Sequence, residues 1–204
     1  MSTPRGERAC THAVLLGLLM SGPRHGYELY QQIEQDLGAV WRIGLSQLYA
    51  QLKQLQEAGL VVAQMQPQTN RPPRKVFHVT DEGREVFLHW LQQATPNLRR
   101  MRVEFLLRLY LFDRLSLPHV EQLIAAQRAV CVEQTHRFAQ LAGESGERFS
   151  RLVYEFRGGQ MEAATRWLDR CAEMRIGQPG VLPQGQEKLS GPPSAGTPQD
   201  EVPK

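Results

Sequence analysis

The chain has 204 residues and a formal net charge of +3. This length allows one ordinary domain or two small ones, and the mild positive charge permits an anionic partner without requiring one. No apolar run approaches the ~20 residues of a membrane span, and the three cysteines are too far apart for a CxxC pair or a disulfide framework. We therefore expect a cytoplasmic protein that does not enter a membrane.

Composition divides the chain into four segments. Residues 1–8 are predicted to be a flexible N-terminus. Residues 9–94 are dense in short apolar elements, and residues 98–176 have the pattern of long helices with few glycines. Residues 177–204 are rich in Pro, Gly, Gln and Ser, and they contain too few large apolar residues to offset the entropy lost on ordering. This last segment is predicted to be a disordered tail.

The elements predicted within residues 9–94 have a characteristic order. A helix over "THAVLLGLLM" precedes a turn at "SGP", and a second helix over "HGYELYQQIEQDLG" ends near Gly38. A third helix covers residues 44–60. Two β-type runs, "LVVAQMQ" and "KVFHVT", flank a Pro-rich connector, and a fourth helix begins after Thr80, a suitable N-cap. Three helices, a β-hairpin and a further helix are the elements of a winged helix-turn-helix.

The third predicted helix has two unlike faces. Leu45, Leu48, Leu52 and Leu55 recur at the spacing that places side chains on one side of a helix. The opposite side carries short polar groups that can donate to and accept from base edges in a DNA major groove. The candidate DNA contacts are Ser46, Gln47, Ala50, Lys53 and Gln54, with Tyr49 at the border. A plain solvent-exposed face is the alternative interpretation.

Basic residues also cluster between the two β-type runs. Arg71, Arg74 and Lys75 lie at the predicted hairpin tip, and no acidic residue occurs between residues 58 and 80. A tip of this kind suits contact with DNA phosphates or with the minor groove. An ordinary surface loop could carry the same residues.

The helices of residues 98–176 need a surface against which to bury their apolar faces. Long amphipathic helices that project from a small domain pair with one another or with a second chain. The last helix shows an apolar alternation close to the 3-4 spacing of paired helices. The predicted dimerisation residues are Phe149, Val153, Phe156, Ala163 and Trp167. An intramolecular bundle is the alternative to a dimer.

Several blocks of the sequence resemble the PadR family of transcriptional regulators. Within residues 13–91 these are "LGLLMSGPRHGYELYQQIEQDLG", "VWRIGLSQLYAQLKQLQEAGLV" and "RPPRKVFHVTDEGREVFLHWL". "RVEFLLRLYLFDRLS" and "ATRWLDRC" are similar to the long C-terminal arm of one branch of that family. Gly44, Leu45 and Ala50 depart from the family pattern at the start of the recognition helix, which leaves the operator sequence open but not the mode of binding.

The resemblance implies a fold and a set of partners. The expected fold is mainly α, with an N-terminal winged helix-turn-helix of three helices and a β-hairpin wing, followed by a C-terminal helical dimerisation arm. The implied partners are double-stranded DNA with a palindromic operator, a second copy of the chain, and a small-molecule inducer that relieves repression. A winged helix that binds protein without DNA is the alternative function.

Aromatic residues near the expected junction of arm and winged domain are candidate walls of an inducer pocket. They are Trp41, Trp90, Phe105 and Tyr110, and ordinary core packing is their alternative role. The six histidines lack metal-ligand spacing, and neither a nucleophile motif nor a phosphate loop occurs. Neither an enzyme nor a metal or cofactor site is expected.

Overall fold

The structure is a computed structural model that describes residues 5–67, 73–174 and 176. The predicted contact Arg71 and the predicted tail, residues 177–204, lie outside the described residues. The helices and strands are α1 Arg5–Met20, β1 Arg24–His25, α2 Gly26–Gln32, α3 Leu45–Glu57, β2 Val61–Gln66, β3 Arg74–Val79, α4 Asp81–Leu91, α5 Leu98–Arg100, α6 Leu106–Arg114, α7 Val120–Glu144 and α8 Arg148–Glu173. Two π-helical turns, Ile33–Leu37 and Met101–Phe105, continue α2 and join α5 to α6.

The predicted fold class is confirmed, because three helices, a small antiparallel sheet and α4 are followed by long helices. Helix α1 already begins at Arg5, inside the segment that was predicted to be flexible. The junction helix, as we call residues 98–114, runs from α5 through the second π-helical turn to the end of α6. Helices α7 and α8 then form a hairpin.

The sheet contains one strand that the sequence pattern did not predict. Its order is β1-β3-β2, and His25 of β1 pairs with Val76 of β3. Two residues between Pro23 and Gly26 are too few to show an alternating pattern, which is why β1 was missed. The hairpin ladder extends to the pair Gln66 and Arg74, so Arg74 lies on a strand rather than in the Pro-rich connector.

Two local contacts fix the base of the wing. The Thr80 hydroxyl accepts a hydrogen bond from the Gly83 amide at 3.1 Å, which confirms Thr80 as the N-cap of α4. The same hydroxyl donates to the Gly59 carbonyl at 2.8 Å. Gly59 has φ +75°, the left-handed conformation that glycine adopts most readily after a helix. The end of α3, the wing and the start of α4 are therefore tied together.

A single hydrophobic core runs through the winged domain and the base of the arm. It includes Leu15 of α1, Phe87 of α4, Leu111 of the junction helix and Leu168 of α8. At Gly17 a Cβ atom would lie 2.6 Å from Phe87 Cε2, so this glycine allows α4 to approach α1 closely. The predicted boundary between residues 94 and 98 is therefore not a boundary between two separate cores.

A buried amide fastens the arm to the winged domain. Gln127 of α7 donates from Nε2 to the Thr95 carbonyl at 3.0 Å, and its Oε1 accepts from the Thr95 amide at 2.7 Å and the Thr95 hydroxyl at 2.8 Å. Both residues are buried. Because a buried polar group is costly unless it is satisfied, these three bonds hold the first part of α7 against the loop that follows α4.

Candidate nucleic-acid interface

Helix α3 presents the predicted polar face to solvent. Leu48, Leu52 and Leu55 are fully buried. The exposed residues are Ser46, Gln47, Ala50, Lys53 and Gln54. Gly44 is the N-cap of α3 and, having no side chain, makes no capping hydrogen bond. Short uncharged polar side chains, Ser46, Gln47 and Gln54, therefore dominate this face.

Two residues of α3 depart from the simple two-face pattern. Leu45 is 36% exposed, since the first turn of the helix extends past the core that covers Leu48. Gln51 is buried at the edge of the apolar face, next to Gln47 around the helix. Burial is the main cause that lowers the pKa of His12, beside Gln51 and Gln54, so His12 adds no positive charge behind α3 at neutral pH.

Tyr49, predicted at the border of the two faces, contacts the start of α2. A Cβ atom on Gly26 would lie 2.5 Å from Tyr49 Cε1 and 2.8 Å from Cζ, so the ring in this position packs directly against the Gly26 backbone. Nearly half of the Tyr49 side chain remains exposed, at 45%. The ring can therefore serve as a spacer between α2 and α3 while its outer edge stays accessible.

The wing places basic side chains beside the same surface. Arg74 occupies the outermost described rung of the hairpin, and its Nη1 lies 3.0 Å from His25 Nε2. Lys75 Nζ lies 5.3 Å above the Phe77 ring, a distance typical of a cation–π contact. Lys53 and Glu57 are 3.7 Å apart on exposed positions of α3, and such a pair contributes little stability. Lys53 on α3 and Arg74 and Lys75 on β3 thus supply positively charged side chains to these two elements.

The junction helix contains a buried ion cluster that the sequence interpretation missed. Glu104 accepts two hydrogen bonds from Arg100, at 2.6 and 2.8 Å, and its Oε2 lies 3.7 Å from Arg108 Nη2. The Arg108 guanidinium stacks 4.3 Å from the Trp90 ring and donates to the Trp90 carbonyl at 3.0 Å. Burial lowers the pKa of Arg108, whereas the hydrogen bonds to Glu104 raise the pKa of Arg100. The spacing of four residues between these charges was the available sequence signal.

The four aromatic residues predicted to line an inducer pocket lie in four different contacts. Trp41 packs partly buried against the core, and Trp90 lies under Arg108. Phe105 meets Trp167 edge to face at 6.0 Å. Tyr110 donates to Asp36 Oδ2 at 2.6 Å, and its burial, together with this bond, raises the pKa of Tyr110 to about 12.

A partly enclosed cavity lies at the junction between the winged domain and the arm. It has a volume of about 410 Å³ between α4, the end of the junction helix and α7, and none of the four aromatic residues lines it. Its walls include Leu88, Leu91, Phe112 and Leu123, with His119 at one side. His119 has φ +70°, an uncommon backbone conformation for a non-glycine residue. The four predicted aromatic residues and this cavity are therefore separate features of the structure.

The outward face of α8 carries large apolar side chains in contact with solvent. Phe149 is 70% exposed and Phe156 is 67% exposed. Of the other predicted dimerisation residues, Ala163 is exposed, whereas Val153 and Trp167 are partly buried. Leu152 and Met174 are exposed and extend the same stripe, although the sequence interpretation did not include them among the dimerisation residues. We call Phe149, Leu152, Phe156, Ala163 and Met174 the α8 seam.

Two kinds of feature are absent from the described residues. No group of three or more His, Cys, Asp or Glu side chains is arranged to hold a metal ion there. No helix in the same part of the chain is long and apolar enough to cross a membrane.

The chain is similar to known regulators in two separate regions. Residues 15–89 match the family described as "Transcriptional regulator PadR-like family", and residues 101–174 match "Virulence activator alpha C-term". The negative transcriptional regulator PadR of Bacillus subtilis is 29% identical over 113 residues, which is 55% of this chain and 62% of that one. A probable transcriptional regulator of Mycobacterium tuberculosis is 29% identical over 91 residues, or 45% and 48% of the two chains. The chain thus spans less than two thirds of either relative.

Solved structures of low identity complete the comparison. Bacillus subtilis PadR in complex with operator DNA is 22% identical, with a TM-score of 0.42 over 80% of this chain and 97% of that one. The same protein in complex with p-coumaric acid is 22% identical, with a TM-score of 0.39 over 85% and 98%.

Proposed function

Because the chain belongs to the PadR-like family of transcriptional regulators, we propose that it is a homodimeric DNA-binding repressor that a small molecule releases from a palindromic operator. The observation that carries this proposal is the exposed face of α3, on which Ser46, Gln47, Ala50 and Gln54 carry no charge. Lysine and glutamate dominate an ordinary solvent face, whereas uncharged directional groups suit base edges.

The dimensions and chemistry of α3 favour a major-groove position. A helix of 13 residues is about 20 Å long, and the groove is about 12 Å wide. Gln47 and Gln54 can each pair with adenine through two hydrogen bonds, and Ala50 leaves room for a thymine methyl group. Lys53, Arg74 and Lys75 would contact phosphates, and such contacts orient the protein without reading sequence.

The α8 seam supports the homodimer. Its large apolar side chains would remain in water in a monomer, and contiguous exposed apolar patches mark interaction sites. A two-fold axis would present two α3 helices to successive major grooves, which lie roughly 34 Å apart on one side of the duplex. A palindromic operator follows from that symmetry.

The cavity beside His119 supports a small-molecule inducer. Its walls belong to α4 of the winged domain and α7 of the arm, so an occupant would change how these two parts meet. To release a mostly competent population, the ligand must favour the incompetent arrangement by several kcal/mol. Apolar walls with a histidine at one side suit a planar compound that carries a polar group.

DNA binding is tested by fluorescence anisotropy with the duplex upstream of the protein's own coding region. We expect the logarithm of the affinity to fall steeply and linearly with the logarithm of salt concentration, because phosphate contacts release counterions. A winged helix that binds only protein would show no salt-dependent duplex binding. That result would remove the proposal.

Two substitutions on α3 distinguish a residue that reads bases from one that contacts phosphates. We expect Gln47→Ala to reduce affinity for the operator more than for random duplex, whereas Lys53→Ala should weaken both similarly and reduce the salt slope by about one. Anisotropy on both duplexes measures the difference, and each variant serves as control for the other. Equal losses for Gln47→Ala on the two duplexes would show that Gln47 reads no base.

The inducer site is tested by substituting the cavity wall. We expect a phenolic acid or planar cationic drug that releases DNA to lose its effect in Leu123→Trp, because the larger ring fills the cavity. Release is followed by anisotropy across a panel of both compound classes, with Val86→Trp on the exposed side of α4 as a control for added volume. If Leu123→Trp responds like the wild type, the ligand does not occupy this cavity.

A further inference from the structure

An apolar groove continues from the α8 seam onto the junction helix. It has a volume of about 330 Å³, and its lining includes the seam residue Ala163. Ala164 and Trp167 of α8 and Met101 and Leu106 of the junction helix also line it. A cavity of about 150 Å³ holds a benzene ring, so the groove has room for the side chain of a phenylalanine.

The α8 seam is complementary to a second copy of itself. Phe156 is large and exposed, whereas Ala163 is small and exposed. These two residues lie at equal distances from the midpoint of residues 159–160, and so do Leu152 and Trp167. An antiparallel pair of α8 helices with a two-fold axis at this midpoint places Phe156 of each subunit against Ala163 of the other. A parallel pair would place Phe156 against itself and leave the groove unfilled.

Charged residues beside the seam have nearly the same symmetry. Arg148, Glu155, Arg166 and Glu173 are exposed, and they lie within about 20° of one another around the helix axis. In the antiparallel pair Glu155 of each subunit lies opposite Arg166 of the other, and Arg148 lies opposite Glu173. Opposite charges beside an apolar seam determine the orientation of paired helices. A parallel pair would place these flanks on opposite sides of the contact.

We infer that the groove between α8 and the junction helix holds Phe156 of a second subunit, in an antiparallel pair of α8 helices centred near residue 160. The inference rests on the proposed homodimer and specifies its contact, but it does not require DNA binding. Gly159 is exposed near the centre of the pair, where the missing side chain allows close approach. Because the junction helix forms the other wall of the groove, the partner's arm would contact the helix that follows the winged domain.

The direction of pairing is tested by pulsed electron paramagnetic resonance with a spin label attached after Glu147→Cys. Glu147 is exposed just before α8, and the three native cysteines are buried. The antiparallel pair should place the two labels roughly 40 Å apart, whereas a parallel pair should place them within about 20 Å. The shorter distance would overturn the inference and leave the homodimer intact. A monomer in sedimentation, without coupling between labels, would instead overturn the proposed homodimer.

The occupant of the groove is tested by Ala163→Trp. We expect the dissociation constant of the dimer to rise about 100-fold, because each indole ring fills its own groove and excludes Phe156 of the other subunit. Ala139→Trp makes the same change at an exposed position of α7 and should leave the dimer unchanged. An unchanged dissociation constant for Ala163→Trp would overturn the inference, since the groove would then belong to a small molecule or to another segment of the same chain.

Charge reversal tests the register of the pair. We expect Arg166→Glu to raise the dissociation constant about tenfold, because it opposes Glu155 of the other subunit with a like charge. Adding Glu155→Arg should restore the constant to within about twofold of the wild type. Positions 155 and 166 are about 16 Å apart along one helix, so the restored affinity must come from contact between subunits. A double variant as weak as Arg166→Glu alone would contradict this register.

Discussion

Replacing Phe156 with glutamate is expected to separate the proposed dimer into monomers and to weaken operator binding by about 10²- to 10⁴-fold. Phe156 lies on the α8 seam with most of its ring in solvent, so the substitution does not disturb the monomer core. In a two-fold dimer it would place two carboxylates in an apolar contact, where unpaired charge is costly. A monomer has one winged domain and can occupy only one half-site. In the dimer, the first winged domain to bind holds the second close to its half-site, and the monomer lacks this gain in effective concentration.

Sedimentation at micromolar concentration measures the assembly, and anisotropy measures the affinity. Val86→Glu is the matched control, because Val86 is an exposed apolar residue of α4 outside the seam. Trp167 is a poorer choice than Phe156, since its ring contacts Phe105 and its loss would disturb the core. A wild type that sediments as a monomer, or a Phe156→Glu variant that remains a dimer, would contradict the assignment of the seam.

Glutamine at position 104 is expected to lower the free energy of unfolding by about 3–5 kcal/mol. Glu104 is 5% exposed, and Arg108, at 2% exposed, has no other carboxylate among its ion pairs in the described residues. Glutamine keeps the volume of Glu104 but removes the charge that compensates two arginines. A guanidinium keeps its charge, so Arg108 would remain a buried cation without compensation.

Urea denaturation provides the measurement, with Glu155→Gln as the matched control. Glu155 pairs with Arg151 at 2.9 Å, also four residues apart on a helix, but both side chains are at least half exposed. Exposed pairs of this kind contribute about 0–1 kcal/mol, so the control should change stability little. Equal small losses in both variants would show that burial of the Glu104 cluster does not matter.

Apolar periodicity was sufficient to predict the helices and the wing. The leucine spacing of α3 and the capping hydroxyl of Thr80 are local signals, and the structure retains both. Strand β1 was missed because two residues show no period. Leu45 was placed on the buried face because a helical wheel does not indicate where the core ends.

Polar residues in the interior were the main failure of the sequence interpretation. Arg108 Nε donates to a carbonyl 18 residues away, and Gln127 bonds to a loop residue 32 positions away. Partners at such distances cannot be inferred from local pattern, so both residues looked like ordinary polar positions on helices. The aromatic residues predicted to line a ligand pocket lie in separate contacts, and hydropathy alone does not distinguish a cavity wall from a filled core.

The hydrophobic core continues from the winged domain into the base of the arm, so we expect each subunit of the proposed dimer to move as one rigid body. Helix α7 has 25 residues and is therefore about 37 Å long, with its first turns anchored in the core and its far end near Phe149. A pivot of about 5° at the base moves the far end by about 3 Å over such a helix. One base pair inserted between half-sites would shift and rotate one half-site by about a tenth of a helical turn. Two rigid subunits cannot follow that rotation. We therefore expect the operator to have a fixed spacing between its half-sites.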